Sequence, residues 1–174
     1  MKRLILLLVM VSMFLIGGTV SKAEKLNQVE IEKETVKIVQ TLDKIKDRNT
    51  LDEKVVKIVS GLESKYQPTF DKYRIVSGEA KQGTYVTVWK YKKSVDNKIV
   101  LNEITLHTIG ASEIFSDLIE LDLGKNFILI QGEKDISTTA AEYCLNRKDA
   151  RIQLRLKAMP LLFNSNKIDF GFLR

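Results

Sequence analysis

The chain has 174 residues, with 28 Lys and Arg against 22 Asp and Glu, and a formal charge of +6. Its 44% hydrophobic and 29% charged residues are typical of a folded globular domain and exclude a disordered or fibrous chain. One Cys excludes an intramolecular disulfide, and one Cys with one His are too few soft ligands for a closed zinc site. We therefore expect no metal site and no cofactor.

The first 23 residues have the pattern of a secretory signal peptide. Lys2 and Arg3 precede an apolar stretch, Leu4–Ile16, and the small residues Ser21 and Ala23 suit a peptidase that cleaves after residue 23. The alternative is a membrane anchor, because residues 4–20 are uncharged and just long enough to span the hydrocarbon of a bilayer. Both interpretations place the rest of the chain outside the cytoplasm, in the periplasm or secreted.

The mature chain, residues 24–174, is predicted to be one α+β domain. Cleavage removes three cations and no acid, so the charge that remains is mild and does not argue for a nucleic-acid partner, which we do not expect. Isoleucines seven residues apart predict an amphipathic helix from Glu24 to about Arg48. Thr50 and Glu53 form a capping-box pattern that predicts a second helix reaching Leu62. The short link between them predicts an N-terminal helical hairpin.

After Pro68 the sequence alternates between apolar and polar residues and is rich in β-branched and aromatic types, which predicts strands. A capping-box pattern at Thr139 and Glu142 predicts one short additional helix near 138–146. We therefore expect the hairpin to pack on a mainly antiparallel sheet of about five to six strands. The predicted strands are Tyr73–Ser77, Thr84–Tyr91, Lys98–Thr108, Ile114–Leu123, Phe127–Ile130 and Arg151–Lys157, the fifth of them apolar enough to be covered on both faces. Ile168–Leu173 could add a final edge strand.

Two predicted strands could present a binding surface. In the first, Tyr85, Trp89 and Tyr91 lie on one face, where aromatic rings could contact a partner, and Val86 and Val88 lie on the other. The alternative is that the aromatic residues face the core. In the second strand, a row of basic side chains could bind an anionic polymer, or could instead pair with Glu120 and Asp122 on a neighbouring strand. That row contains Arg151, Arg155 and Lys157.

Residues that could support catalysis are present without a recognisable catalytic arrangement. His107 and Cys144 are each the only residue of their type, and the sequence has no nucleophile elbow, zinc-protease motif or nucleotide-binding loop. Buried Cys often acts only as a small hydrophobe, although outside the cytoplasm it could also pair with another chain. The acids that could supply a carboxylate pair are Glu103, Glu113, Asp117, Glu120 and Asp122.

These observations favour an exported, non-catalytic binding module of the cell envelope or extracellular space that uses an aromatic or basic sheet face. The expected partner is another envelope protein or an anionic envelope polymer. One alternative is a subunit of an envelope or secretion assembly that docks through the N-terminal helix pair. The other alternative is a small extracytoplasmic hydrolase that uses carboxylates or Cys144.

Overall fold

A computed structural model describes residues 28–46, 49–96 and 98–158. Helix α1 spans Gln28–Lys44 and helix α2 spans Ala150–Ala158, with eight strands between them in the chain. The predicted signal peptide and the predicted strand Ile168–Leu173 lie outside the described residues. The strands are β1 (Val56–Ser60), β2 (Tyr66–Thr69), β3 (Tyr73–Ala80), β4 (Tyr85–Lys93), β5 (Ile99–Thr108), β6 (Ile114–Glu120), β7 (Gly124–Lys134) and β8 (Ser137–Arg147).

The strands form two sheets. The smaller sheet has the order β1-β3-β6 and is antiparallel throughout. The larger sheet has the order β2-β8-β7-β4-β5, in which β2 runs parallel to β8 and the other pairs are antiparallel. The prediction of an α+β fold is confirmed, but the strands number eight in two sheets instead of five or six in one.

The inward faces of the two sheets form the main core, a sandwich of alternating apolar side chains. Val86 and Val88 of β4 and Ile128 and Ile130 of β7 contribute from the larger sheet. Val56, Val76, Phe115 and Ile119 contribute from the smaller sheet. The sheets lie close together at Gly132, where an added Cβ would lie 2.2 Å from Cγ2 of Val56.

A second core covers the opposite face of the larger sheet. Ile38 of α1 is fully buried against Trp89, Tyr91 and Leu129. The helix is also fixed by a hydrogen bond of 2.9 Å that the indole Nε1 of Trp89 donates to Oε2 of Glu34. Strand β7 is therefore buried on both faces, which confirms the prediction made from its continuous apolar run.

The predicted helical hairpin is wrong, because its second helix is replaced by a turn and strand β1. Asp52 accepts hydrogen bonds from the backbone N–H groups of Lys54, Val55 and Val56, which forms a tight turn and not a helix start. The residues that follow are mostly β-branched, and they pair with β3 from Val56 onward. Pairing with a neighbouring strand thus outweighs the capping-box signal.

In two other segments, a predicted helix is a strand and a predicted strand is a helix. The short helix near 138–146 is wrong, since these residues form β8, which pairs with β7 along its whole length. The predicted strand Arg151–Lys157 is wrong as well, since these residues belong to helix α2. Asp149 provides the N-cap of α2 and accepts a hydrogen bond of 2.8 Å from the backbone N–H of Arg151.

Replacing Ile38 with Ala should remove most of the contact between α1 and the larger sheet. We expect the free energy of unfolding to fall by about 2–5 kcal/mol, because the substitution leaves a cavity over Trp89 and Leu129. Val36→Ala is the matched control, since Val36 is exposed on the same helix, and it should change stability by less than about 0.5 kcal/mol. Urea unfolding checks both values, and equal effects would contradict this packing of α1.

Replacing Gly132 with Ala should force the two sheets apart. The new Cβ would overlap the Val56 side chain, so we expect a loss of about 1–3 kcal/mol in the free energy of unfolding. Gly110→Ala is the control, because no atom of the described structure lies within 4 Å of its added Cβ. Thermal denaturation followed by circular dichroism compares them, and a Gly132→Ala protein as stable as the control would contradict the close approach of the sheets.

Candidate functional site

The predicted aromatic residues do not form an exposed surface. Trp89 and Tyr91 are only 3% and 0% exposed, because α1 lies over them, whereas Tyr85 is 54% exposed beyond the helix. Trp89 and Tyr91 therefore face a core, as the alternative interpretation of this strand predicts. The valines of the same strand are buried as well, since β4 lies in the middle of a sheet that is covered on both faces.

The predicted basic residues are exposed, but they lie on a helix. Arg151, Arg155 and Lys157 project from α2, so they do not form the flat row of cations that a strand would give. Arg151 is held by Asp149, whose Oδ2 accepts hydrogen bonds of 2.9 and 2.6 Å from Nε and Nη2 of its guanidinium. Glu120 and Asp122 pair instead with Lys72 and Lys92, so the proposed pairing with the basic segment does not form.

His107 connects the edges of the two sheets. Its Nε2 on β5 lies 2.9 Å from Oδ1 of Asp117 on β6, and both side chains are largely buried. This contact does not have hydrogen-bond geometry, and Nε2 has no hydrogen-bond partner among the described residues. The imidazole also lies 5.6 Å from the ring of Phe115. Through these contacts His107 joins β5 of the larger sheet to β6 of the smaller sheet.

A polar cluster on the helix side of the larger sheet centres on Glu142. Its carboxylate accepts hydrogen bonds from the Tyr91 hydroxyl and from Nζ of Lys93, the latter at 2.7 Å. The side-chain amide of Asn49 donates a hydrogen bond to the backbone C=O of Glu142 and accepts one from its backbone N–H. Glu142 lies two residues before Cys144, where the pairing of β8 with β2 begins. Burial, reinforced by Glu142, raises the pKa of the Tyr91 hydroxyl well above its usual range. The cluster therefore keeps a neutral phenol beside an ion pair.

Cys144 lies next to this cluster and is half-buried. It pairs with Phe127 of β7 and with Tyr66 of β2. Burial raises the pKa of its thiol, so the thiol is protonated at neutral pH and is a poor nucleophile. This environment fits the interpretation of Cys144 as a small buried hydrophobe better than a catalytic role.

Most of the acids considered for catalysis are paired with bases. Glu103 lies 3.6 Å from Nζ of Lys90, and Asp117 lies beside His107. Glu120 and Asp122 form ion pairs of 3.0 and 3.1 Å with lysines. Glu113 instead accepts a long hydrogen bond of 3.4 Å from the backbone N–H of Gln82. Each of these contacts is structural, and none joins two of the five carboxylates.

The most distinctive surface of the described structure is the outward face of the smaller sheet. On both β3 and β6, outward side chains alternate with the inward ones that fill the sandwich. Ile75 and Leu118 lie opposite each other across the two strands and are 59% and 63% exposed. We call this surface the β3–β6 face; it consists of Tyr73, Ile75, Ser77 and Glu79 with Ile114, Ser116, Leu118 and Glu120.

Neighbouring apolar residues along the chain are the signal that could have revealed this face. Ile75 is followed by Val76, Ile114 by Phe115, and Leu118 by Ile119. In a strand such pairs place one apolar side chain on each face, so both faces of the sheet are apolar. Only the inward face finds a cover among the described residues, since no described element packs on the outward one.

The described residues also contain a polar groove of about 580 Å³ between the end of α1, residues 50–54 and the β7–β8 hairpin. It is lined by hydroxyl groups, the Gln131 amide and charges of both signs, and neither His107 nor Cys144 lines it. Across residues 28–46, 49–96 and 98–158, no group of three His, Cys, Asp or Glu side chains could hold a metal ion. In the same residues no helix is long and apolar enough to cross a membrane.

No protein-family model matches the chain, and no curated protein or solved structure is significantly similar to it. Its function therefore has to be inferred from its own residues.

The N-cap of α2 predicts a measurable pH dependence. Hydrogen bonds from Arg151 lower the pKa of Asp149 to about 2, below its unfolded value of 3.8. A depressed pKa means that the contribution of Asp149 is complete above pH 3.8 and is lost as the pH falls towards 2. We expect the first turn of α2 to lose its hydrogen-exchange protection in this window. Asp149→Ala should abolish the dependence, and an identical profile in that variant would contradict the capping role.

Proposed function

We propose that this protein is an exported, non-catalytic binding module whose partner-binding surface is the β3–β6 face. The observation that supports this function best is the uncovered cross-strand pair of Ile75 and Leu118. Contiguous apolar surfaces of this kind on soluble proteins usually mark interaction sites, because their exposure to water is unfavourable. This proposal keeps the class of function expected from the sequence and moves the binding surface to a different sheet.

The contrast between the two sheets supports this choice of surface. The larger sheet is covered by the smaller sheet on one face and by α1 on the other. The smaller sheet is covered only on its inward face, although its outward face includes Tyr73, Ile75, Ile114 and Leu118, all at least half exposed. A partner that covers this face would leave the smaller sheet covered on both faces, as the larger sheet already is.

The chemistry of the β3–β6 face indicates a protein partner and not a charged polymer. Its centre is apolar and hydroxylic, with Ser77 and Ser116 opposite each other. Its charges are of both signs, because Glu120 is paired with Lys72 at 3.0 Å and Glu79 is opposite Lys57. An anionic polymer would need an excess of cations, whereas an apolar protein surface needs a neutral and dry contact.

Export rests on the pattern of residues 1–23. A cationic start, an apolar stretch and small residues before the cleavage point together support translocation of residues 24–174. The partner would then be met in the envelope or outside the cell. A retained leader would anchor the same module to the membrane.

Helix α1 supports a second candidate, a subunit of an envelope assembly. Val29, Val36 and Val39 are exposed on this helix, although Ile38 is buried on its other side. These valines could contact a helix of another chain.

Site-specific photo-crosslinking in the producing cells distinguishes these surfaces. A benzophenone amino acid placed at Leu118 should give covalent adducts, because a partner covers this position. The same probe at Leu106, which is equally exposed on the edge strand β5, is the matched control and should give none. Adducts at Val36 without adducts at Leu118 would favour the assembly subunit, and no adduct at Leu118 would contradict the proposed function.

A further inference from the structure

The charged residues around the β3–β6 face are balanced at each of its ends. At one end Lys72 and Glu120 form an ion pair of 3.0 Å beside Tyr73. At the other end Lys57 of β1 is directly opposite Glu79 of β3, next to Ile114. Each end therefore has a base beside an acid, and the apolar pair of Ile75 and Leu118 lies between the two ends.

This pattern is self-complementary. In a dimer with two-fold symmetry the same surface meets itself, so a face with charges of one sign would repel its own copy. A face with one base and one acid at each end can place opposite charges near each other in either orientation. Its apolar centre can meanwhile lie on the apolar centre of the second copy.

The twist of the sheets also favours a second copy of the chain as the partner. Two sheets pack face to face when their twists match, with strand directions within about 30° of each other. Two copies of the smaller sheet have the same twist, so their outward faces can pack as its inward face already packs on the larger sheet. The pairing would bury Tyr73, Ile75, Ile114 and Leu118 of both copies.

We propose that a second copy of this chain is the partner that covers the β3–β6 face, in a two-fold dimer of stacked smaller sheets. This inference rests on the proposed function, since it names the partner of that same surface. The dimer has six layers, in which two smaller sheets meet at the centre and the larger sheets and α1 helices lie outside them. Tyr85, Cys144 and the α1 valines take no part in the contact.

Analytical ultracentrifugation of the protein purified after expression of the full sequence tests the dimer. At about 100 µM, well above the dissociation constants of many weak complexes, we expect a mass of twice the chain. Leu118→Glu should give a monomer, because the two-fold axis brings its new charge close to its own copy in an apolar contact. Leu106→Glu introduces the same change at a similarly exposed site outside the face and should remain dimeric. Circular dichroism verifies that both variants are folded.

A second variant tests the charge argument separately. Lys57→Glu combined with Lys72→Glu makes both ends of the face acidic while its apolar centre stays intact. We expect this protein to be monomeric at low salt and to regain the dimer at about 1 M salt, where repulsion is screened over about 3 Å. Dimerisation unaffected by this double substitution at low salt would overturn the proposal.

The two proposals can fail separately. A monomeric wild-type protein at 100 µM, together with crosslinks from position 118 to a different protein, would overturn the second copy and leave the binding face in place. A monomeric protein without any crosslink at position 118 would overturn both proposals. Adducts at position 118 with twice the mass of the chain, together with the dimer in the centrifuge, would support both.

Discussion

The burial of β7 on both faces is the constraint on which the rest of the structure depends. Ile128 and Ile130 require a layer on the inward side, which the smaller sheet provides, and Leu129 requires one on the other side, which α1 provides. Because β7 has apolar residues on both faces, an open sheet or a single sheet with helices on one side would leave one of these faces exposed to water. The three-layer order of helix, larger sheet and smaller sheet follows from this strand.

The smaller sheet also has apolar side chains on both faces, but no described element covers its outward face. The pairs Ile75–Val76 and Leu118–Ile119 give β3 and β6 two apolar faces, as the apolar run gives β7. Within the described residues both apolar faces of β7 are covered, whereas β3 and β6 have only their inward faces covered. The second copy that we propose would cover their outward faces.

The sequence predicts β3, β4, β5, β6 and β7 well, since alternation and β-branched residues act locally there. It fails where tertiary pairing decides the structure. Thr50 and Glu53 look like a helix start, but Val56 and its neighbours pair with β3 instead. The face that we propose as the binding surface could not be identified by period-two patterns alone, since these patterns do not tell which side of β4 a helix such as α1 covers. The adjacent apolar pairs in β3 and β6 were the stronger signal, because they report on both faces at once.

The parallel pairing of β2 with β8 has a consequence for the order in which the chain can acquire its structure. Tyr66 pairs with Cys144 and Asn49 bonds Glu142, so these two contacts form only after β8 has been made. Such distant contacts slow folding, because a long loop must close before they form. A chain that threads through a membrane channel must stay unfolded while it does so. In the exported protein that we propose, β2 would therefore pair only after β8 has crossed the membrane.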